Sequence, residues 1–196
     1  GACTGTGDCT VTMNAARSAT AGFAYVGSAY SWNYMQKVYV AYYGRPADPE
    51  GQAYWAGQMD AHGQSIDAVV NAFGTSTEFT QRYGGLGNPQ LVTRIYQQAL
   101  ARDPDLAGLA WYVAELDSGR MTLPTIALNV VNGATRPPDS TTVANKLEVA
   151  SYYTAKVAAG CAYGTQQDGI AVVSGVTSEM STVIAAKLAI DGRCGT

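Results

Sequence analysis

Apolar residues recur every three or four positions through most of this chain, which is the spacing of helices that bury one face. The first clear run consists of Val38, Tyr39, Tyr42 and Tyr43. It predicts a helix that ends at Gly44, because glycine adopts the left-handed conformation of a helix end without steric cost. We expect the helical body to begin at about Ala29.

Asp48 begins the next predicted helix. Aspartate is a preferred N-cap, and the proline and glutamate that follow it suit the first helical turn. This helix should end near His62. Its apolar side chains should point inward: Tyr54, Trp55 and Met59. A third helix, with Ser65 as its cap, should continue through Phe73.

The same pattern returns 57 residues later, since the run 38–60 corresponds to the run 95–117. Identical residues at that offset include Tyr39 and Tyr96, Arg45 and Arg102, Asp48 and Asp105, Gly51 and Gly108, and Asp60 and Asp117. Neither copy can cover its own apolar face alone. Two tandem three-helix repeats should therefore pack together in one domain.

The second copy should use Asp105 and Thr122 as helix caps and carry its apolar side chains inward: Trp111, Tyr112 and Leu116. The glycine-rich stretch 84–89 lacks a phosphate-loop lysine and is interpreted as the linker between the copies. A long helix from about 141 to 159, capped by Asp139, and a last helix to Ile190 should close the fold. The predicted class is all-α, with residues 29–196 as the helical repeat domain.

Residues 1–28 are rich in glycine, threonine and alanine and predict an extended N-terminal arm. Apolar and polar residues alternate from Cys9 to Met13, which is typical of a short strand. An isolated strand needs a partner, so the arm should either dock on a neighbouring subunit or fold back on its own domain. The candidate assembly residues are Thr10, Val11, Thr12 and Met13.

Both copies contain the run Y-x(5)-R-x(2)-D-x(2)-G-x-A-[YW]-[WY], which resembles a family of bacterial secreted domains, domain of unknown function 4214. The segments 145–154 and 174–191 are similar to that family's closing helices. Such domains occur in surface-layer proteins, adhesins and exported proteins with calcium-binding repeats, and they resemble phycobilisome linker domains distantly. The resemblance implies an all-helical, non-enzymatic module for assembly or attachment outside the cell. This chain departs from the pattern by lacking glycine-aspartate calcium repeats and by carrying four cysteines.

Charged residues make up only 14% of the chain, against about 25% in typical globular proteins. Low charge weakens the repulsion between copies and favours a subunit that packs against its neighbours. The net charge of −3 and the absence of basic runs argue against binding to nucleic acid. No apolar stretch reaches the about 18 residues of a membrane span.

The cysteines lie in the terminal segments, at Cys3, Cys9, Cys161 and Cys194. An even number predicts two disulfides formed in an oxidising compartment, and three pairings are open. We favour bridges from the arm to the C-terminal segment, with Cys3–Cys9 plus Cys161–Cys194 as the alternative. The small residues 1–3 are typical of a mature N-terminus after signal removal, so an extracellular or cell-surface location is expected.

Candidate catalytic groups are few. His62 is the only histidine, and its place at a predicted helix end indicates a capping role rather than a nucleophilic dyad. Paired carboxylates at the two helix starts are interpreted as caps or as a calcium site: Asp48, Glu50, Asp103 and Asp105. Asp60 and Asp117 are interpreted as surface residues at helix ends.

We therefore expect a secreted, non-enzymatic structural protein that assembles with copies of itself into an extracellular filament, surface layer or biofilm-matrix fibre. Calcium could take part in the contact. The alternative is an adhesin-like module that binds cell-surface polysaccharide through exposed members of its 13 tyrosines and three tryptophans. A hydrolase that uses the paired carboxylates is the third hypothesis.

Overall fold

The computed structural model describes residues 28–162 and 164–194, and no strand occurs in these two ranges. The helices of the described residues are α1 (Ala29–Tyr43), α2 (Pro49–Ala61), α3 (Asp67–Gly74), α4 (Thr77–Tyr83), α5 (Asn88–Leu100), α6 (Leu106–Asp117), α7 (Leu123–Gly133), α8 (Asp139–Ala158), α9 (Gln166–Ser174) and α10 (Met180–Cys194). The prediction of an all-α fold is confirmed. Neither the strand expected near Cys9 nor the assembly residues Thr10–Met13 lie within the described residues.

The larger of the two apolar cores joins the repeats, with α1 at its centre and α2 to α7 around it. Its aromatic rings meet on Phe73, whose centroid lies 5.0 Å from the rings of both Tyr39 and Tyr43. The ring of Phe79 in α4 lies tilted against that of Tyr42, with the centroids 5.2 Å apart. Edge-to-face and offset contacts of this kind stabilise aromatic cores beyond simple burial.

The closing helices form a second core on the other side of α1. Val40 reaches from α1 into a cluster of buried residues from α8, α9 and α10, among them Tyr153, Val173 and Ile190. Because α1 contributes to both cores, it connects the repeats to the closing helices. In the described residues, no helix combines the length and apolarity that a membrane crossing requires.

Buried polar groups join α1 and the turn that follows it to α8. Gln36 accepts a hydrogen bond from the Ala47 backbone N–H at 3.0 Å and donates one to the Thr154 hydroxyl at 3.0 Å. Thr154 in turn donates to the Ala47 carbonyl at 2.7 Å. This closed set satisfies polar atoms that would be costly to bury alone.

Lys146 of α8 is 1% exposed, and its ammonium donates to the Val173 carbonyl at 2.8 Å. That carbonyl belongs to the last turn of α9, where the helix dipole favours a positive charge. Burial nevertheless lowers the pKa of Lys146 to about 8. The lysine therefore caps the C-terminal end of α9, although burial disfavours its charged form.

Most predicted helix ends agree with the structure. Gly44 is left-handed with φ 61°, and Asp48 and Asp105 are N-caps of α2 and α6. Thr122 begins α7 with a capping box. These ends depend on local backbone chemistry, which the residue types specify.

Other ends differ from the prediction. Helix α3 starts at Asp67 without a side-chain cap, because the Ser65 hydroxyl accepts from the Asp67 N–H within a local turn. Pro138, and not Asp139, occupies the cap position of α8, because the Asp139 carboxylate pairs with Arg102. Helix α4 was not predicted and occupies the region before the expected linker, with Ser76 as its cap.

A disulfide joins Cys161, in the loop after α8, to Cys194, the last residue of α10, with Cα atoms 5.1 Å apart. The favoured prediction of bridges between the arm and the C-terminal segment is wrong for these two cysteines. Helices α8 and α10 pack together and bring their ends within bonding distance. Cys3 and Cys9 lie outside the described residues.

Candidate functional site

The shared arginine of the first copy is buried at the turn between α1 and α2. Arg45 donates to Glu78 of α4 through Nε at 2.8 Å and Nη2 at 2.9 Å. Its guanidinium also lies over the rings of Tyr39 and Tyr43, each centroid at 5.2 Å. A bidentate pair stacked between two rings holds the turn in one geometry.

The second copy builds the corresponding turn with a different partner. Arg102 donates to Asp139 of α8 through Nε at 2.7 Å and Nη2 at 2.6 Å, and it lies 5.3 Å from the Tyr96 centroid. This pair is more exposed than that of Arg45. The first turn therefore fastens α4, whereas the second fastens the long closing helix.

The aspartate and glycine of the shared run have a common structural role. Asp48 accepts from the Gly51 N–H at 2.6 Å, and Asp105 accepts from the Gly108 N–H at 2.8 Å. The Gly108 bond is the main cause that lowers the pKa of Asp105. A Cβ on Gly51 would lie only 2.3 Å from the Tyr39 hydroxyl. In the shared run, the aspartate therefore caps the helix, and the glycine leaves space for the hydroxyl of the shared tyrosine, Tyr39 or Tyr96.

The four predicted carboxylate ligands do not form one cluster. Asp48 and Asp105 serve as caps, and Asp103 accepts from the Gln97 amide at 2.8 Å. Within residues 28–162 and 164–194, no three His, Cys, Asp or Glu side chains are grouped in a way that could hold a metal ion. Glu50 lies in the first turn of α2, where its negative charge interacts favourably with the helix dipole.

Asp60 and Asp117 have a role that the sequence interpretation missed. Asp60 accepts from the N–H of Ser28 at 2.7 Å and from the Ser31 hydroxyl, at the start of α1. Asp117 accepts from the Asn88 amide at 2.6 Å, at the start of α5. Ser31 and Asn88 are 57 residues apart, so the repeat offset carried the signal that could have identified these ties.

His62 occupies the C-cap position of α2, as predicted. Its Nδ1 lies 2.7 Å from the Gln58 carbonyl, to which it donates in the tautomer that carries a proton there. The ring is exposed. This arrangement is that of a helix-end cap.

Tyr54 and Trp111 occupy equivalent positions in the two copies and are 58% and 51% exposed. The prediction that they point inward is therefore wrong. Successive helical residues are about 100° apart, so only one of two neighbours can face the core. Trp55 and Tyr112 take the inner positions, and each touches its exposed neighbour edge-on.

The outer face of α10 carries an apolar stripe of Met180, Ile184 and Leu188, exposed by 56%, 55% and 67%. Their spacing of four places them on one side of the helix. We call these three residues the α10 stripe. A largely apolar cleft of about 320 Å³ lies between α9 and α10 and includes Val172, Val176 and Ala186.

Two ion pairs lie beside the α10 stripe. Lys187 pairs with Glu148 at 2.6 Å, and Asp191 pairs with Lys156 at 2.6 Å. Apolar surface of this kind, grouped on one helix and rimmed by paired charges, is typical of an interaction surface.

Comparison with known families identifies the repeat. The model of the family described as Domain of unknown function (DUF4214) matches residues 16–83 and, in a second overlapping copy, residues 70–134. The two matches span residues 16–134, which is more than half of the chain. No curated protein and no solved structure matches the chain.

Proposed function

The chain belongs to the DUF4214 family, whose description assigns no activity, and we propose that it is a secreted, non-enzymatic structural protein that assembles with copies of itself. The product would be an extracellular filament, surface layer or biofilm-matrix fibre. The observation that carries this proposal is the α10 stripe, since its three apolar side chains are more than half exposed.

The role of the shared residues supports a non-enzymatic reading. Arg45 and Arg102 bind carboxylates that join helices, and Asp48 and Asp105 bind backbone N–H groups. These groups are already engaged in structural contacts, so the repeat stabilises a scaffold. An activity lost in the double variant Asp48→Asn, Asp105→Asn would instead favour the carboxylate hydrolase.

We propose that the N-terminal arm of one copy docks on the α10 stripe of the next copy. Fully extended, the 27 residues before Ser28 would reach about 90 Å, whereas a helical body of this size is roughly 40 Å across. The arm is therefore long enough to reach a second copy, and its apolar Val11 and Met13 match the apolar side chains of the α10 stripe. A contact between different surfaces of identical chains generates a fibre when the rotation between successive copies does not close into a ring.

The test is the particle mass and shape of the oxidised chain, measured by light scattering and electron microscopy with calcium and with a chelator. Wild-type protein should form filaments or sheets, whereas Leu188→Glu and Met13→Glu should each remain a folded monomer. Leu106→Glu is the matched control, because Leu106 is 87% exposed on α6, away from the stripe. It should assemble like the wild type.

A monomer of about 20.5 kDa under every condition would contradict assembly, and so would unchanged assembly of Leu188→Glu. Loss of the particles in chelator alone would make calcium part of the contact.

The second candidate is an adhesin-like module that binds cell-surface polysaccharide, and the exposure of Tyr54 and Trp111 favours it. Flat exposed rings can stack on sugar faces. Trp111→Ala and Tyr54→Ala should then weaken glycan binding by the monomer. Tyr30→Ala is the control, because Tyr30 is equally exposed at 55% but lies outside the repeat run.

A further inference from the structure

A cleft of about 370 Å³ lies where the two repeats meet α9. Its walls include Arg82 of α4, Arg94, Gln97 and Gln98 of α5, and Ile170 and Ser174 of α9. No carboxylate contributes to this lining within the described residues. The cleft is therefore cationic in a chain whose net charge is −3.

The pairing of the arginines distinguishes this cleft from the rest of the surface. Four arginines of the described residues form ion pairs with carboxylates: Arg45, Arg102, Arg120 and Arg193. Within residues 28–162 and 164–194, no carboxylate pairs with Arg82, Arg94 or Arg136. Two of these three arginines line the same cleft, so its positive charge is available to an anionic ligand.

One wall of the cleft is held in place by hydrogen bonds. Arg82 donates through Nη1 to the Tyr43 carbonyl at 2.6 Å, and Gln98 donates to the Ala41 carbonyl at 2.8 Å. Gln98 also accepts from the Tyr83 hydroxyl. Arg94 lies one helical turn before Gln98 on α5 and is exposed. Preorganised donors lower the entropy cost of binding.

The cleft continues in both directions as a groove in which side-chain amides alternate with apolar residues such as Leu86, Pro89 and Ile170. On one side it runs past Gln90 and Thr93, and it shares Arg94 and Gln97 with this extension. On the other side it shares Arg82 with a surface that includes Gln81, Gln166 and Gln167. Glu78 borders that end, but its carboxylate is bound by Arg45 and Gln166.

We propose that this groove binds an acidic polysaccharide whose units carry carboxylates, of the uronate class. The planar guanidinium fork of arginine matches a carboxylate in two parallel hydrogen bonds. Side-chain amides and hydroxyls can donate to and accept from sugar hydroxyls along a chain. Two separated cations surrounded by amides suit such a polymer better than nucleic acid, which requires a denser basic surface.

This inference goes beyond self-assembly, because one copy contains the whole groove. Its failure would appear in a binding titration, whereas failure of assembly would appear in the particle mass. The two proposals also depend on different side chains, so each can be tested without the other.

The test is a calorimetric titration of the full-length chain with oligogalacturonate, with neutral dextran and dextran sulfate as comparison ligands. The wild type should bind oligogalacturonate saturably and dextran not at all. Arg94→Gln should weaken binding about tenfold or more, because it removes a charge-assisted contact. Arg82→Gln should do the same where circular dichroism shows an unchanged helix content.

Arg136→Gln is the matched control, since Arg136 is exposed and lacks a carboxylate partner in the described residues but lies outside the groove. It should bind oligogalacturonate like the wild type. Absence of saturable binding, or an equal loss in Arg136→Gln and Arg94→Gln, would overturn the proposal. Tighter binding of dextran sulfate than of oligogalacturonate would overturn the carboxylate assignment.

Discussion

The carboxylate of Glu78 accepts two hydrogen bonds from the Arg45 guanidinium, which joins residues 33 positions apart. The side chains are 9% and 16% exposed, so the pair is largely buried. In the second copy the equivalent Arg102 side chain is 37% exposed and pairs with Asp139 instead. Burial of the two pairs therefore differs although their geometry is alike.

Arg45→Met should lower the free energy of unfolding by about 3 kcal/mol, because it removes a 9% exposed arginine from Glu78 and from the rings of Tyr39 and Tyr43. Arg102→Met should cost only about 1 kcal/mol, since the Arg102 side chain is 37% exposed and solvent weakens its ion pair. Urea denaturation of the two variants measures the difference. Equal losses would show that burial does not determine the strength of these pairs.

Gly51→Ala should destabilise the fold by about 1–3 kcal/mol, because its Cβ would lie 2.3 Å from the Tyr39 hydroxyl and 2.7 Å from Asp48. Gly108→Ala is the matched control, with its nearest contact at 3.2 Å from the Tyr96 hydroxyl. There the gain in helix propensity should offset the tighter contact. A melting temperature that falls as far in Gly108→Ala as in Gly51→Ala would contradict this explanation.

Stability should increase with pH above neutrality because burial lowers the pKa of Lys146 from 10.5 to about 8. Between these values the unfolded chain binds a proton that the folded chain has lost, so raising the pH favours folding. The expected gain is about 1 kcal/mol from pH 7 to pH 9. Urea unfolding at each pH measures it.

Lys146→Met should remove most of that gain, leaving the smaller contribution of Lys37, whose pKa burial also lowers. Above about pH 9 the trend should reverse. Burial raises the pKa of seven tyrosines, among them Tyr42 and Tyr83, so the unfolded chain loses protons that the folded chain retains. An identical pH profile for wild type and Lys146→Met would refute the assignment to this lysine.

The double variant Cys161→Ser, Cys194→Ser should lose about 3–4 kcal/mol of stability, because the bridge closes a loop over a sequence separation of 33 residues. Under oxidising conditions this loss should appear as a lower urea midpoint. A reducing agent should lower the stability of the wild type by breaking this bond. The variant lacks the bond and cannot lose stability in this way. A variant as stable as the oxidised wild type would mean that helix packing alone holds α10.

The sequence predicted elements whose causes are local. Asp48 and Asp105 cap helices in both copies because an aspartate followed by helix-compatible residues satisfies free N–H groups wherever it occurs. The 57-residue offset indicated two equivalent units, and the family match confirms a repeat over residues 16–134. His62 was likewise identified as a cap from its position at a helix end.

The partners of Asp60 and Asp117 include Ser31 and Asn88, which also stand 57 residues apart. From the sequence only the two aspartates are interpreted, and these partners are not identified. Helix α4 escaped prediction because seven residues are too few for a clear apolar period. The apolar pattern cannot tell which of two adjacent apolar residues faces the core, so it predicts that both Trp111 and Tyr112 point inward. In the structure only Tyr112 is buried.

By itself, then, the sequence determined the helical class, the duplicated unit and most helix ends, since these depend on residues within a few positions of one another. Only the tertiary structure decided that Arg45 pairs with Glu78 and Arg102 with Asp139, and that Cys161 bonds Cys194. It also placed Arg82 and Arg94 on one cleft. The reason is physical: such partners are chosen by how whole helices pack, and local propensity carries no information about contacts between distant segments.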